Sequence, residues 1–144
     1  MNTLKKLIVS IGLLSVLCVI PSMAQITNQV KFDAPSAFYA GNAKMPAGSY
    51  TVSQPDVNSS LLLIEGTDGS HSAFVEYEVH TSDAPHPQSD VTFNEYNNVD
   101  FLSAIWVQGQ NSEMQILPSK FEQNSAKTAA VKKHSLSAKN VGQP

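Results

Sequence analysis

Ala73-Phe74-Val75-Glu76-Tyr77-Glu78-Val79-His80 is the clearest alternation in the chain: Ala73, Val75, Tyr77 and Val79 face one way, Glu76, Glu78 and His80 the other. Successive side chains of a strand leave on opposite faces. A period of two among β-branched and aromatic residues therefore predicts a strand with one face in a core and one in water. Just before it, Asp68-Gly69 is a hairpin signal. Leu61-Leu62-Leu63-Ile64 ahead of that is apolar at every position, which reads as a strand buried on two sides.

The same rhythm extends both ways. Upstream, Val30 and Phe32 share a face of a first strand that Pro35 interrupts; Phe38-Tyr39-Ala40 resumes it before Gly41-Asn42. Pro46-Ala47-Gly48 makes a tight turn into a strand carrying Tyr50 and Val52 on one side. Downstream, Pro85 and Pro87 make residues 82–90 a loop, since proline cannot donate to a ladder. Val91 and Phe93 open a hairpin that turns at Asn97-Asn98, where asparagine tolerates left-handed backbone. Its return strand, residues 101–107, is apolar on both faces: Phe101, Ile105 and Val107 on one side, Leu102, Ala104 and Trp106 on the other. It reads as the central strand, and Met114 and Ile116 make a last short one.

These strands predict a mainly β fold: a single antiparallel β-sandwich or partly closed β-barrel of six to eight strands, with a short C-terminal helix. The pattern does not separate sandwich from barrel. Leu63, Ala73, Val75, Phe93, Phe101 and Ile105 are expected in the core, Glu76 and Glu78 in water.

Four segments follow. Lys5 and Lys6, an apolar run from Leu7 to Ile20 and the small-residue site Ser22-Met23-Ala24 have the order of a secretory signal, which predicts cleavage after Ala24. The run is shorter than the roughly 20 residues a bilayer core requires, so no membrane span is expected once it is removed. Residues 25–118 form the β domain. Ser119-Lys120-Phe121-Glu122 has capping-box spacing and opens a helix assigned to 119–133; the polar residues 134–144 are expected to be disordered. Cys18, the one cysteine, lies in the signal, so neither a disulfide nor thiol chemistry is available beyond it. The expected location is secreted or periplasmic.

Charge is divided along the chain. Residues 25–118 set Lys31 and Lys44 against eleven acids, a net −9; from Ser119 five lysines face Glu122 alone, a net +4. With no arginine and an acidic body, nucleic acid is not an expected partner. Lys127, Lys132, Lys133 and Lys139, on an exposed tail, would instead suit an anionic cell-envelope surface.

Catalytic motifs are missing: no Gly-x-Ser-x-Gly elbow, no His-Glu-x-x-His, no phosphate-binding loop. The expectation is a non-enzyme without a cofactor. His80, Asp83 and His86 lie within seven residues and carry ligand types that transition metals accept, but the spacing is not diagnostic, and solvated loop histidines are the commoner case. Trp106, Leu102 and Phe93 are the residues that would line an internal apolar pocket; for Trp106 a place in the core competes with a stacking platform for sugars.

Phe38-Tyr39-Ala40-Gly41-Asn42-Ala43-Lys44-Met45-Pro46-Ala47-Gly48-Ser49-Tyr50-Thr51-Val52 resembles the opening of a family of small exported bacterial β-proteins, common in acidobacterial genomes, with the pattern Gly-Asn, a spacer, then Pro-Ala-Gly-x-Tyr-x-Val. Phe101-Leu102-Ser103-Ala104-Ile105-Trp106 and Gly109 look like that family's final hairpin, and the resemblance spans residues 30–122. It implies a β fold and export, and carries no catalytic residues. Three functions follow: an exported, non-enzymatic β domain with a binding or structural role in the cell envelope or outside the cell; a barrel carrying a small apolar ligand; or a secreted enzyme.

Overall fold

The computed structural model describes residues 29–142. The signal expected at 1–24 and its cleavage after Ala24 lie outside them. In order, the chain forms β1 (Gln29–Ala34), β2 (Phe38–Ala40), β3 (Ala43–Met45), β4 (Gly48–Ser53), β5 (Leu61–Gly66), β6 (Ser72–Thr81), β7 (Ser89–Tyr96), β8 (Val99–Trp106), β9 (Ser112–Ile116), α1 (Lys120–Ala126) and β10 (Lys132–Val141).

Eight of the strands close on themselves in the order β1, β4, β5, β6, β9, β8, β7, β10, and each neighbouring pair is antiparallel. The fold is therefore a closed barrel. Closure removes free sheet edges, and eight strands leave an interior just wide enough for side chains to fill. β2 and β3 form a hairpin beside it, joined by Gly41-Asn42 with Gly41 at φ 61°, and β2 runs parallel to β8. The Asn97-Asn98 turn has both residues left-handed (φ 51° and 63°), the type I′ geometry that suits a twisted hairpin.

Val30, Phe32, Tyr50, Val52, Leu62, Ile64, Val75, Val91 and Phe93 point inward and are buried. Of the residues expected in the core, Leu63 is half-buried instead, because β5 has only water outside it; its inward residues are Leu62 and Ile64. A bulge at Ser103 also rearranges β8: Thr92 faces Ala104 but Phe93 faces Leu102. An extra residue in one strand reverses the alternation beyond it. Leu102, Ile105 and Val107 consequently share the interior, while Phe101 turns outward against Tyr39 (5.4 Å between ring centroids) and Phe121 (5.3 Å). Phe101 remains buried because α1 and β2 cover it.

The C-terminal reading is corrected. The helix ends at Ala126 rather than 133, the β architecture does not stop at 118, and residues 132–141, assigned to the helix end and a disordered tail, are the strand between β7 and β1. Only His134, Leu136 and Ala138 mark its inward face, a signal too weak to read alone. Its backbone amides and carbonyls find partners on both sides, which a free tail would leave to water. Lys132, Lys133 and Lys139 thus stand exposed on the barrel wall, not on a mobile end.

Among the described residues, no helix is long and apolar enough to cross a membrane. The outward positions of β1, β4 and β10 include Lys31, Asp33, Ser49, Thr51, Lys133, Ser135, Ser137 and Lys139, the reverse of a lipid-facing apolar band.

Candidate functional site

The two ends of the barrel differ. At one, the β2–β3 hairpin drives Phe38 and Met45 into the interior, where Phe38 packs against Tyr50 (5.1 Å, edge-on) and Phe93 (5.4 Å, edge-on) and Phe32 stacks on Tyr50. Tyr50 closes the plug by donating from its hydroxyl to the carbonyl of Pro46. Aromatic rings in these geometries both fill volume and attract one another.

Among the described residues, the opposite end has no such plug. Val30, Val52, Leu62, Tyr77, Val79 and Met114 line a cavity of 160 Å³ that opens between the β4–β5 side of the barrel and the loop after β8. Its walls are mostly hydrocarbon. Polar groups gather at its margin: Gln54, Gln110 and Ser112, with Gln54 donating from Nε2 to the Tyr77 hydroxyl at 2.7 Å. Val79, 61 % exposed, stands at the lip.

The pocket expected around Trp106, Leu102 and Phe93 is not formed. Leu102 and Phe93 are packed core residues. Trp106 is on the outer face, half-buried, with the His86 ring stacked on it at 4.5 Å; the Ser103 bulge explains its direction. Nor do His80, Asp83 and His86 form a ligand set. His80 is exposed, 3.7 Å from Glu78, Asp83 faces water, and His86 Nε2 is held by Asp90 at 2.9 Å. Three other ligand atoms converge instead, those of Glu95, Asp100 and His134, all within 4.8 Å of one another.

A third feature lies on the outer wall, where α1 crosses β7, β8 and β9 and leaves a polar groove of 330 Å³. Ser119 caps the helix by accepting from the Glu122 amide (3.1 Å), but Glu122 does not complete the capping box: its side chain turns in and accepts from Asn94 Nδ2 (3.1 Å). Burial pushes the Glu122 carboxyl up from its ordinary value, against the opposing effect of Asn94's donation. Burial, then the Glu122 charge, raises the Tyr96 phenol.

Fold and site together define a small closed barrel with one apolar mouth. No family model, curated protein or solved structure matches the chain.

The cavity residues escaped sequence reading because each looks like an ordinary core residue of its own strand; what sets them apart is that, among the described residues, no side chain fills the space between them. Glu95 and Asp100 carried a legible signal, since pairing outward from Asn97-Asn98 brings them face to face.

Proposed function

We propose that this protein is a non-catalytic binding barrel that takes the apolar end of a small molecule into its open mouth and leaves the polar end at the rim. The observation that carries this reading is the asymmetry of the interior, aromatic-filled at one end and lined by Val30, Val52, Leu62 and Met114 around an open cavity at the other. A concave apolar site with a few polar groups at its margin is the usual form of a small-molecule site. The 160 Å³ volume is below the roughly 300 Å³ where drug-sized pockets begin. It therefore suits a short acyl chain or a single ring, not a long lipid. The signal-like order from Lys5 to Ala24 supports action after export, in the periplasm or outside the cell.

Calorimetric titration with straight-chain alcohols of increasing length tests the reading. Affinity should rise with each methylene until the cavity is filled and then level off. Val79→Glu, which puts a charge at the lip, should weaken binding at least tenfold while the fold is retained. Affinity independent of chain length, or unaffected by Val79→Glu, would overturn it.

A further inference from the structure

We propose that the plugged end of the barrel holds a divalent transition-metal ion, with Zn²⁺ the best match, on Glu95, Asp100 and His134. The site is separate from the apolar mouth and does not depend on the function given to it.

Its geometry follows from the hairpin. With Asn97-Asn98 as a two-residue turn, Tyr96 and Val99 form the closing pair and Glu95 and Asp100 the next one. In such a hairpin that second pair is the one without mutual backbone hydrogen bonds, where side chains approach most closely. Two carboxylates placed there repel, so the arrangement calls for a cation between them. The third donor arrives from the other side of β7. His134, paired in register with Phe93, lays its ring on the Phe93 ring (5.4 Å, 16° between planes) and reaches across to Asp100, with Nε2 2.8 Å from Oδ1. Stacking fixes the imidazole plane with Nε2 directed at the Asp100 carboxylate, and a Glu95 oxygen lies within 4.8 Å of the cluster's other ligand atoms.

The donor set has the right chemistry. One imidazole nitrogen and two carboxylate oxygens balance a 2+ charge, and Zn²⁺ accepts both types at about 2.0–2.2 Å with a fourth position left for water. Ligand atoms at that distance stand roughly 3.3 Å apart in a tetrahedral site, so three atoms already within 4.8 Å of one another need only side-chain adjustment, the His134–Asp100 contact opening slightly from 2.8 Å. The site is reachable from solvent: the side chains of Asp100 and His134 are 17 % and 39 % exposed. Lys132, opposite Glu95 in the register, is the competing counter-charge, but it is exposed and has no ion-pair partner among the described residues.

Chelator-treated full chain titrated with zinc chloride, by calorimetry and by thermal melting, decides the matter. Wild type should bind Zn²⁺ in equimolar ratio and melt at higher temperature with it, since an ion bound to the native state alone stabilises that state. Asp100→Asn and His134→Ala should each weaken binding at least tenfold, whereas His80→Ala and His86→Ala should not change it. Glu95→Gln separates a metal ligand from a structural acid: relief of the carboxylate repulsion should raise the melting temperature of the metal-free protein, while the stabilisation by zinc shrinks. The proposal is overturned if wild type and His134→Ala bind Zn²⁺ equally. It is also overturned if His80 or His86 proves to be the residue required, or if Ca²⁺ binds in preference to Zn²⁺.

Discussion

One barrel, built from the same alternating strands throughout, ends in two opposite ways. At the plugged end, a hairpin outside the barrel supplies Phe38 and Met45, and four aromatic rings occupy the interior. At the mouth, the residues of the same inward faces are Val30, Val52 and Leu62, buried at the floor of the cavity, with Tyr77, Val79 and Met114 nearer solvent. Aromatic packing is thus concentrated at one end, and exposed apolar surface, chiefly that of Val79, lies at the other. The comparison teaches that the β strands build a container, and that what is laid over each end decides whether it is core or cavity.

The sharpest way to break this comparison is to remove the plug. Phe38→Ala should cost about 3–5 kcal/mol, as for other buried phenylalanines, read from urea denaturation. A loss under about 1 kcal/mol would mean that the hairpin is peripheral. Next in size is the turn at the same end: Asn98→Ala places a Cβ without asparagine's local hydrogen bonding at φ 63°. It should cost about 1–2 kcal/mol and, by loosening the Glu95–Asp100 pair, weaken zinc binding in the same sample.

Glu122 probes the outer wall beside the plug through pH. Burial raises its carboxyl above the ordinary 4.5, so the neutral form is the one that the fold favours. Its contribution is fully present below the unfolded value and is lost as pH rises through the folded one. Glu122→Gln should therefore be more stable relative to wild type at neutral pH than at pH 4, and the difference between the two denaturation profiles should grow as pH increases. A difference that shrinks with rising pH would show the buried carboxylate to be favoured when charged.

The smallest effect is expected at the mouth. Val79→Ser, at a lip position 61 % exposed, should change stability by no more than about 0.5 kcal/mol. It should nevertheless reduce affinity for short alcohols. A large loss of stability there would make the mouth part of the core.

Strand positions and turns were largely legible, because alternation and turn chemistry are properties of a few neighbouring residues. β6 and the Asn97-Asn98 turn fall where the pattern places them. Two strands that looked alike came apart in the structure. β5 and β8 are both apolar on two faces, yet Leu63 meets water while Phe101 is covered by Tyr39 and Phe121. The difference lies not in either strand but in whether a helix happens to cross it. The Ser103 bulge was equally hidden, since one unpaired residue leaves no mark on composition. For the metal cluster, Glu95 and Asp100 could be paired from the turn alone, but His134 lay in residues that read as a disordered end.

The sequence by itself determined the β class, the acidic body, the turn types and most inward-facing residues, all of which follow from contacts a few residues apart. Only the tertiary structure decided that the sheet closes, and that residues 132–141 are the strand that closes it. It also decided which end is filled. The physical reason is that β10 has little apolar surface of its own and owes its conformation to backbone hydrogen bonds with β7 on one side and β1 on the other. Those partners lie roughly 40 and 110 residues away along the chain, a separation at which local pattern carries no information and loop closure is repaid only once the whole barrel forms.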